Sequence, residues 1–144
     1  MPRITVFVAF AIFLLSQVLA ARTGVSGDAV VRDDFLALCA DCHGADAKGN
    51  GPLAKNLTKV PPDLTHIQER ANGEFNEKAV FDWILGLNTP NFHGNREMPI
   101  WGDWLMDETL EDSTSLDAAP KAEKEVERRV MALVKYLEGL QISR

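Results

Sequence analysis

Apolar residues recur at helical spacing in three stretches of the chain. The first predicted helix runs from about Asp28 to Cys39, with Ser26 or Asp28 as its N-cap. The second predicted helix runs from about Glu77 to Leu87 and follows Asn76, a favourable N-cap residue. The third predicted helix runs from Pro120, a favourable first helical residue, to about Leu140.

The apolar positions of each predicted helix fall on one side, and that side is expected to face a common core. They are Val31, Phe35, Leu38 and Cys42 for the first, Val80, Phe81, Ile84, Leu85 and Leu87 for the second, and Val126, Val130, Leu133, Val134, Leu137 and Leu140 for the third. No segment alternates apolar and polar residues convincingly in the manner of a strand. The pattern therefore predicts an all-α fold with three main helices.

The segment between the first two helices, residues 44–76, is rich in Gly, Pro, Asn and Lys. This composition predicts a loop, with a short helix near Leu53 to Leu57. A loop of this length is uncommon inside a small domain unless it has a function or something to wrap around. A group bound within the domain would account for a loop of this length.

The N-terminal 20 residues have the layout of a secretory signal peptide. Arg3 supplies a positive charge, an apolar run follows from Ile4 to Leu15, and Val18 and Ala20 are small residues before the expected cleavage point. Cleavage after Ala20 leaves residues 21–144 as one domain. The alternative is an uncleaved anchor in the inner membrane, although the apolar run is short for a span of about 20 residues.

The charge pattern narrows the range of partners. The formal net charge is −6, which makes nucleic acid an unfavourable partner. Residues 102–120 contain six acidic side chains and no Lys or Arg. We expect this segment to be a solvated acidic insertion before the last helix, and a docking patch for a basic partner is the alternative.

The most specific motif of the chain is Cys39-Ala40-Asp41-Cys42-His43, which contains its only two cysteines. Thiols at this spacing reach the two vinyl groups on one edge of a porphyrin, and the following histidine is placed to bind the iron. A disulfide, a zinc site without a second cysteine pair, and a redox dithiol without a βαβ context are weaker alternatives. We predict one haem c, bound through Cys39 and Cys42, with His43 as an axial ligand.

A haem iron in an electron carrier also needs a sixth ligand, and a thioether sulfur favours Fe(II). Met98 is the best candidate, because it lies in an irregular stretch where Pro99 restricts its backbone. Met106 is the second candidate, whereas Met131 falls inside the third helix and is expected to fill the core. A second histidine ligand, His93, is a further alternative.

These motifs together resemble a monohaem class I c-type cytochrome of the bacterial periplasm. The resemblance covers residues 21–144 and is carried by the haem motif through Gly44, by the segments 61–65 and 98–102, and by the last helix with Tyr136 and Leu137. It implies a cytochrome c fold, in which three main helices and long loops wrap around one haem.

The resemblance also implies roles for three further residues. Phe35, four positions before the first cysteine, is expected to pack on the haem. The carbonyl group of Pro62 is expected to accept a hydrogen bond from the ring N–H of His43, and Pro52 is the alternative acceptor. Trp101 is expected to lie near a haem propionate and to donate its indole N–H, unless it is simply a core residue.

We therefore expect a periplasmic one-electron carrier that cycles between Fe(III) and Fe(II), and not an enzyme. Its partners are expected to be redox proteins such as an oxidase, reductase or dehydrogenase, with no small-molecule substrate, and the chain is expected to be a monomer. Lys48, Lys55 and Lys59 are expected to form a basic rim that steers such a partner. The alternatives are a haem enzyme or gas sensor with an open sixth iron site, and a haem subunit of a larger complex.

Overall fold

The computed structural model describes residues 27–87, 98–111 and 117–142. Its α-helices are α1 (Gly27–Leu38), α2 (Ala40–His43), α3 (Ile67–Arg70), α4 (Glu77–Leu85), α5 (Trp101–Glu111) and α6 (Ala118–Gly139). Single 3-10 turns occur at Ala54–Asn56 and Leu64–His66. No strand occurs within these residues, which confirms the all-α prediction for them. The predicted signal peptide (1–20), Ser26 and His93 lie outside the described residues.

The longest helix, α6, is the centre of the fold, because α1, α4 and α5 all pack against it. The predicted apolar stripe of α6 is buried from Val126 to Leu137, whereas Leu140 is only partly buried. Phe35 from α1 and Leu105 from α5 are both 0% exposed and belong to this core, as do Val80 and Ile84 from α4. Full burial of an apolar side chain of this size stabilises a fold by about 1.5–3 kcal/mol, so each of these contacts is a substantial contribution to stability.

Helix α4 begins as predicted and ends two residues earlier than predicted. The side chain of Asn76 accepts a hydrogen bond from the backbone N–H of Ala79, which is an N-cap interaction. Gly86 adopts a left-handed conformation, and the N–H of Leu87 donates to the carbonyl oxygen of Asp82. This pair of features is a Schellman motif, which ends the helix at Leu85. The predicted end at Leu87 is wrong because Gly86 was not recognised as the stop signal.

Helix α5 corrects the expectation of an irregular stretch followed by a solvated acidic insertion. Residues Trp101–Glu111 are helical, so the described part of the fold has four main helices instead of three. The acidic side chains Asp103, Asp107, Glu108 and Glu111 are exposed, while Leu105 is completely buried. The high acidic content hid an amphipathic helix with a narrow apolar face.

The other two long helices differ from prediction at their ends. Helix α1 is shifted by one residue, to Gly27–Leu38. Helix α6 begins at Ala118, two residues before Pro120. The first N–H groups of a helix have no carbonyl partner within it, so Pro120 is tolerated at the third position as well as at the first. The sequence therefore does not show whether Pro120 is the first or the third residue of the helix.

The segment 44–76 is mainly a loop, as predicted, and its 3-10 turn at Ala54–Asn56 lies within the predicted short helix. The helical stretch from Leu64 to Arg70 was not predicted. It follows Asp63, whose side chain accepts a hydrogen bond from the backbone N–H of Thr65. Among the described residues, no helix has the length and hydropathy needed to cross a membrane.

Candidate functional site

The two cysteines and His43 lie on a single helical turn. The backbone N–H groups of Cys42 and His43 both donate to the carbonyl oxygen of Cys39, at 3.2 and 2.9 Å. The N–H of Cys39 in turn donates to the carbonyl oxygen of Phe35, at 2.9 Å, so the turn continues directly from α1. Both cysteines are free thiols and partly buried. The packing of α1 on α6 therefore fixes the position of the motif.

The imidazole of His43 is buried and oriented by one hydrogen bond. Its Nδ1 atom lies 3.1 Å from the carbonyl oxygen of Pro62, a backbone group with no proton to give. The proton of this bond therefore belongs to Nδ1, and Nε2 carries the free lone pair of a neutral ring. Burial lowers the pKa of His43, which also favours the neutral ring, although the bond to Pro62 opposes this effect. The acceptor is Pro62, as the resemblance implies, and not the alternative Pro52.

The thiol of Cys39 is unsuited to act as a nucleophile. Burial raises its pKa to about 12, and the charges of Asp34 and Cys42 add to this effect. A redox-active dithiol requires a thiolate at neutral pH, which in known cases is produced by a lowered pKa. The raised pKa therefore disfavours Cys39 as the attacking thiol of a redox pair.

The loop after His43 folds back closely on the motif. The N–H of Gly49 donates to the carbonyl oxygen of His43 at 2.7 Å, and the N–H of Gly51 donates to that of Cys42 at 3.1 Å. A Cβ atom at Gly49 would overlap the carbonyl oxygen of Pro61, and one at Gly51 would overlap backbone atoms of Asp41. Glycine is required at both positions because backbone passes directly beside backbone.

The segment that carries Pro62 is tied to the rest of the molecule on both sides. The N–H of Leu64 donates to the carbonyl oxygen of Ala47 at 2.7 Å. The carbonyl oxygen of Leu64 accepts from the side-chain amide of Gln141 at 2.8 Å, and that amide also accepts from the backbone N–H of Gln68 at 2.9 Å. Sequence reasoning missed Gln141. The available signal was a polar residue between Leu140 and Ile142, just after the last predicted helix.

The remaining predicted site residues lie in three different settings. Phe35 is completely buried, with its ring centroid 5.3 Å from that of Tyr136 on α6. Trp101 is partly buried at the start of α5 and packs edge-on against Trp104, with centroids 6.1 Å apart. Met98 is 36% exposed and lies three residues before α5. The proposed contacts of all three with a haem stay predictions.

The two alternative methionines also have defined positions. Met106 is partly buried and packs against the core from α5. Met131 is 40% exposed on α6, so the expectation that it fills the core is wrong. At 3.6 residues per turn Met131 lies roughly 130° around α6 from the centre of the buried stripe, so it faces away from the core.

The charged residues of the predicted docking surfaces are solvated. Lys48, Lys55 and Lys59 are all exposed in the loop that follows the motif.

Within the described ranges, no three His, Cys, Asp or Glu side chains converge in a group that could hold a metal ion. The zinc alternative therefore gains no support from the site.

Comparison of the chain with known protein families, with curated proteins and with solved structures finds no match.

Proposed function

We propose that this protein is a periplasmic one-electron carrier with one haem c, attached through Cys39 and Cys42 and ligated by His43 and Met98. The observation that carries the proposal is the hydrogen bond from His43 Nδ1 to Pro62, which leaves the lone pair of Nε2 available for a metal ion, on the same helical turn as two cysteines that form no disulfide. Histidines that bind metals usually donate their second ring N–H to a carbonyl or carboxylate in this way.

The donor set fits a covalently attached haem better than the alternatives do. Both thiols are unpaired, and their two-residue spacing suits two thioether links to one porphyrin edge. The raised pKa of Cys39 disfavours a thiolate-based function. Attachment of haem c takes place outside the bacterial cytoplasm, which agrees with the predicted signal peptide at residues 1–20.

The haem iron would supply the one-electron couple, while the residues of the chain set its environment. The carbonyl group of Pro62 would hold the His43 ring in one orientation and increase its basicity. The sulfur of Met98 would favour the reduced state and exclude exogenous ligands. The partners would be other redox proteins, and the exposed lysines Lys48, Lys55 and Lys59 would favour an acidic one.

The test is to produce the full chain in a bacterial host that attaches haem c and to examine the purified protein by optical spectroscopy. Haem that stays bound after denaturation and acid–organic extraction is the expected result, and it should be lost when Cys39 and Cys42 are both changed to Ser. His43→Ala is expected to remove the low-spin spectrum, and His66→Ala is the matched control that should keep it.

The outcomes separate the candidate functions. Protein without covalently attached haem would contradict the proposal. Attached haem that is low-spin in both oxidation states and does not bind carbon monoxide when reduced would support a closed His/Met electron carrier. Attached haem that is high-spin and binds carbon monoxide would replace the electron carrier with an enzyme or gas sensor.

A further inference from the structure

The side chain of Gln141 connects two parts of the fold through both the amino group and the carbonyl oxygen of its amide. Its Nε2 atom donates to the carbonyl oxygens of Leu64 and Leu137, at 2.8 and 2.7 Å. Its Oε1 atom accepts from the backbone N–H of Gln68 at 2.9 Å. Gln141 thereby joins the C-terminal end of α6 to the helical segment that follows Pro62.

The backbone next to Gln141 reinforces this connection. The N–H of Ile142 donates to the carbonyl oxygen of Thr65 at 3.0 Å. Three hydrogen bonds therefore run from residues 141–142 to residues 64–68. On its other side, Leu64 donates its N–H to Ala47. Leu64 is thus held between the loop that follows His43 and the end of α6.

Pro62 depends on its neighbours for its position. Proline has no backbone N–H, so Pro62 cannot anchor itself by donating a hydrogen bond. Its carbonyl oxygen, which accepts from His43, lies only two residues before Leu64. A displacement of Leu64 is therefore transmitted directly to the acceptor of the His43 bond.

We propose that Gln141 is a positioning residue for His43, because its amide holds Leu64 and Gln68 where the Pro62 carbonyl stays within reach of the His43 ring. This inference rests on the proposed function in so far as His43 is the axial ligand. Loss of the amide weakens the Nδ1–H bond, and a less basic His43 stabilises Fe(III) less well. The reduction potential then rises.

The experiment compares the haem-bearing wild type with Gln141→Leu and Gln141→Glu. Leucine removes all three hydrogen bonds of the amide, whereas glutamate keeps an acceptor for Gln68 and loses both donors. We expect solvent exchange of the His43 Nδ1 proton, followed by NMR in the reduced protein, to be about two- to tenfold faster in both variants. The reduction potential is expected to rise in Gln141→Leu, whereas in Gln141→Glu the added negative charge favours Fe(III) and opposes the rise, so proton exchange is the readout for that variant.

Two control variants separate positioning from general stability. Gln68→Ala removes an exposed amide bond to the carbonyl oxygen of Gly73 within the same segment, and Val126→Ala opens the core of α6 far from Gln141 along the helix. Both are expected to leave the potential and the exchange of the His43 proton at wild-type values, although Val126→Ala lowers the melting temperature. If Gln141→Leu unfolds, Gln141→Glu supplies the comparison through the exchange rate of the His43 proton.

The failure of this inference differs from the failure of the proposed function. A wild-type protein without attached haem contradicts the proposed function. A haem-bearing protein in which both Gln141 variants keep the wild-type potential and exchange rate contradicts the positioning role alone. A shift that Val126→Ala reproduces also contradicts it, because the effect would then follow from reduced stability.

Discussion

Arg129 on α6 forms a two-point ion pair with Asp34 on α1, with Nη2 to Oδ1 at 2.8 Å and Nε to Oδ2 at 3.2 Å. Its remaining nitrogen, Nη1, lies 2.6 Å from a carboxylate oxygen of Glu108 on α5. One guanidinium group therefore links three helices. Asp34 lies five residues before Cys39, so this pair also helps to fix the helix that leads into the motif.

Replacement of Arg129 by Met is expected to lower the free energy of unfolding by about 1–3 kcal/mol, between the values for exposed and fully buried pairs. The side chains of Arg129 and Asp34 are only 19% and 18% exposed, so the loss leaves a partly buried carboxylate without its main partner. Arg128→Met is the matched control. Arg128 is 62% exposed, and among the described residues its ion pair is with Glu125. Urea unfolding of both variants measures the difference, and equal losses would contradict the assignment.

Gly49→Ala tests the close approach beside the motif. The residue has a φ of +78°, and an added Cβ would meet the carbonyl oxygen of Pro61. We expect a loss of stability and a displacement of the Pro62 carbonyl from His43. Gly73→Ala is the control, because Gly73 has a φ of +92° in open space and its substitution costs only the conformational strain.

The difference between the two glycine variants measures the steric overlap alone. We expect Gly49→Ala to be less stable than Gly73→Ala by at least about 2 kcal/mol, since a clash with backbone cannot be relieved by moving a side chain. Thermal unfolding of both proteins gives the comparison. Similar melting temperatures would mean that the loop shifts freely, and that its contact with Pro61 does not restrain the Pro62 segment.

The hydrogen bonds of Asp63 predict that the fold loses stability at low pH. The hydrogen bond from the Thr65 hydroxyl group, at 2.6 Å, is the main cause that holds the pKa of Asp63 below its usual 3.8. Because the pKa is lower in the folded state, the ionised carboxylate stabilises the fold at pH above about 4. This contribution is lost as the pH falls through the folded-state pKa.

The measurement is the difference in unfolding free energy between wild type and Asp63→Asn at several pH values. It is expected to shrink as the pH falls below about 5, where the wild-type carboxyl group becomes neutral. In a Thr65→Val background the pH dependence of this difference should be much reduced, because the hydroxyl donor is absent. A difference that does not change with pH would disprove the linkage.

Met98→Ala tests the second axial ligand of the proposed haem. We expect the weak far-red sulfur-to-iron band of the oxidised protein to disappear, and the reduced protein to bind carbon monoxide. Met131→Ala is a matched control, since Met131 is similarly exposed but lies on α6. Met106→Ala tests the alternative ligand, and loss of the band in that variant alone would transfer the role from Met98 to Met106.

Local signals in the sequence predicted the helices whose stripes and caps follow simple rules. The stripe from Val126 to Leu137 and the cap at Asn76 were both recognisable, because each depends on residues within one or two turns. The acidic helix α5 was missed for the opposite reason. Its single fully buried side chain, Leu105, obtains its burial from α6, and that contact leaves only a weak periodic trace in the sequence.

The residues of the candidate site also differ in whether the sequence could indicate them. The motif from Cys39 to His43 was readable because its spacing has a chemical reason, and the bond from His43 to Pro62 was anticipated from resemblance. The contacts of Gln141 with Leu64 and Gln68 could not be anticipated, since the partners are backbone groups more than 70 positions away. Every residue carries a backbone carbonyl group, so the sequence does not show which one a side chain will contact. Such contacts are visible only in the folded molecule.

The separation of 77 positions between Leu64 and Gln141 has a consequence for biogenesis. The segment around Pro62 cannot reach its final position until residue 141 has been synthesised and α6 has docked. Contacts between distant parts of a chain also form slowly during folding. Until then the Pro62 carbonyl is not held in place for His43, which directly follows the two cysteines. If the proposed function holds, attachment of haem to the cysteines would therefore precede the final packing of the motif.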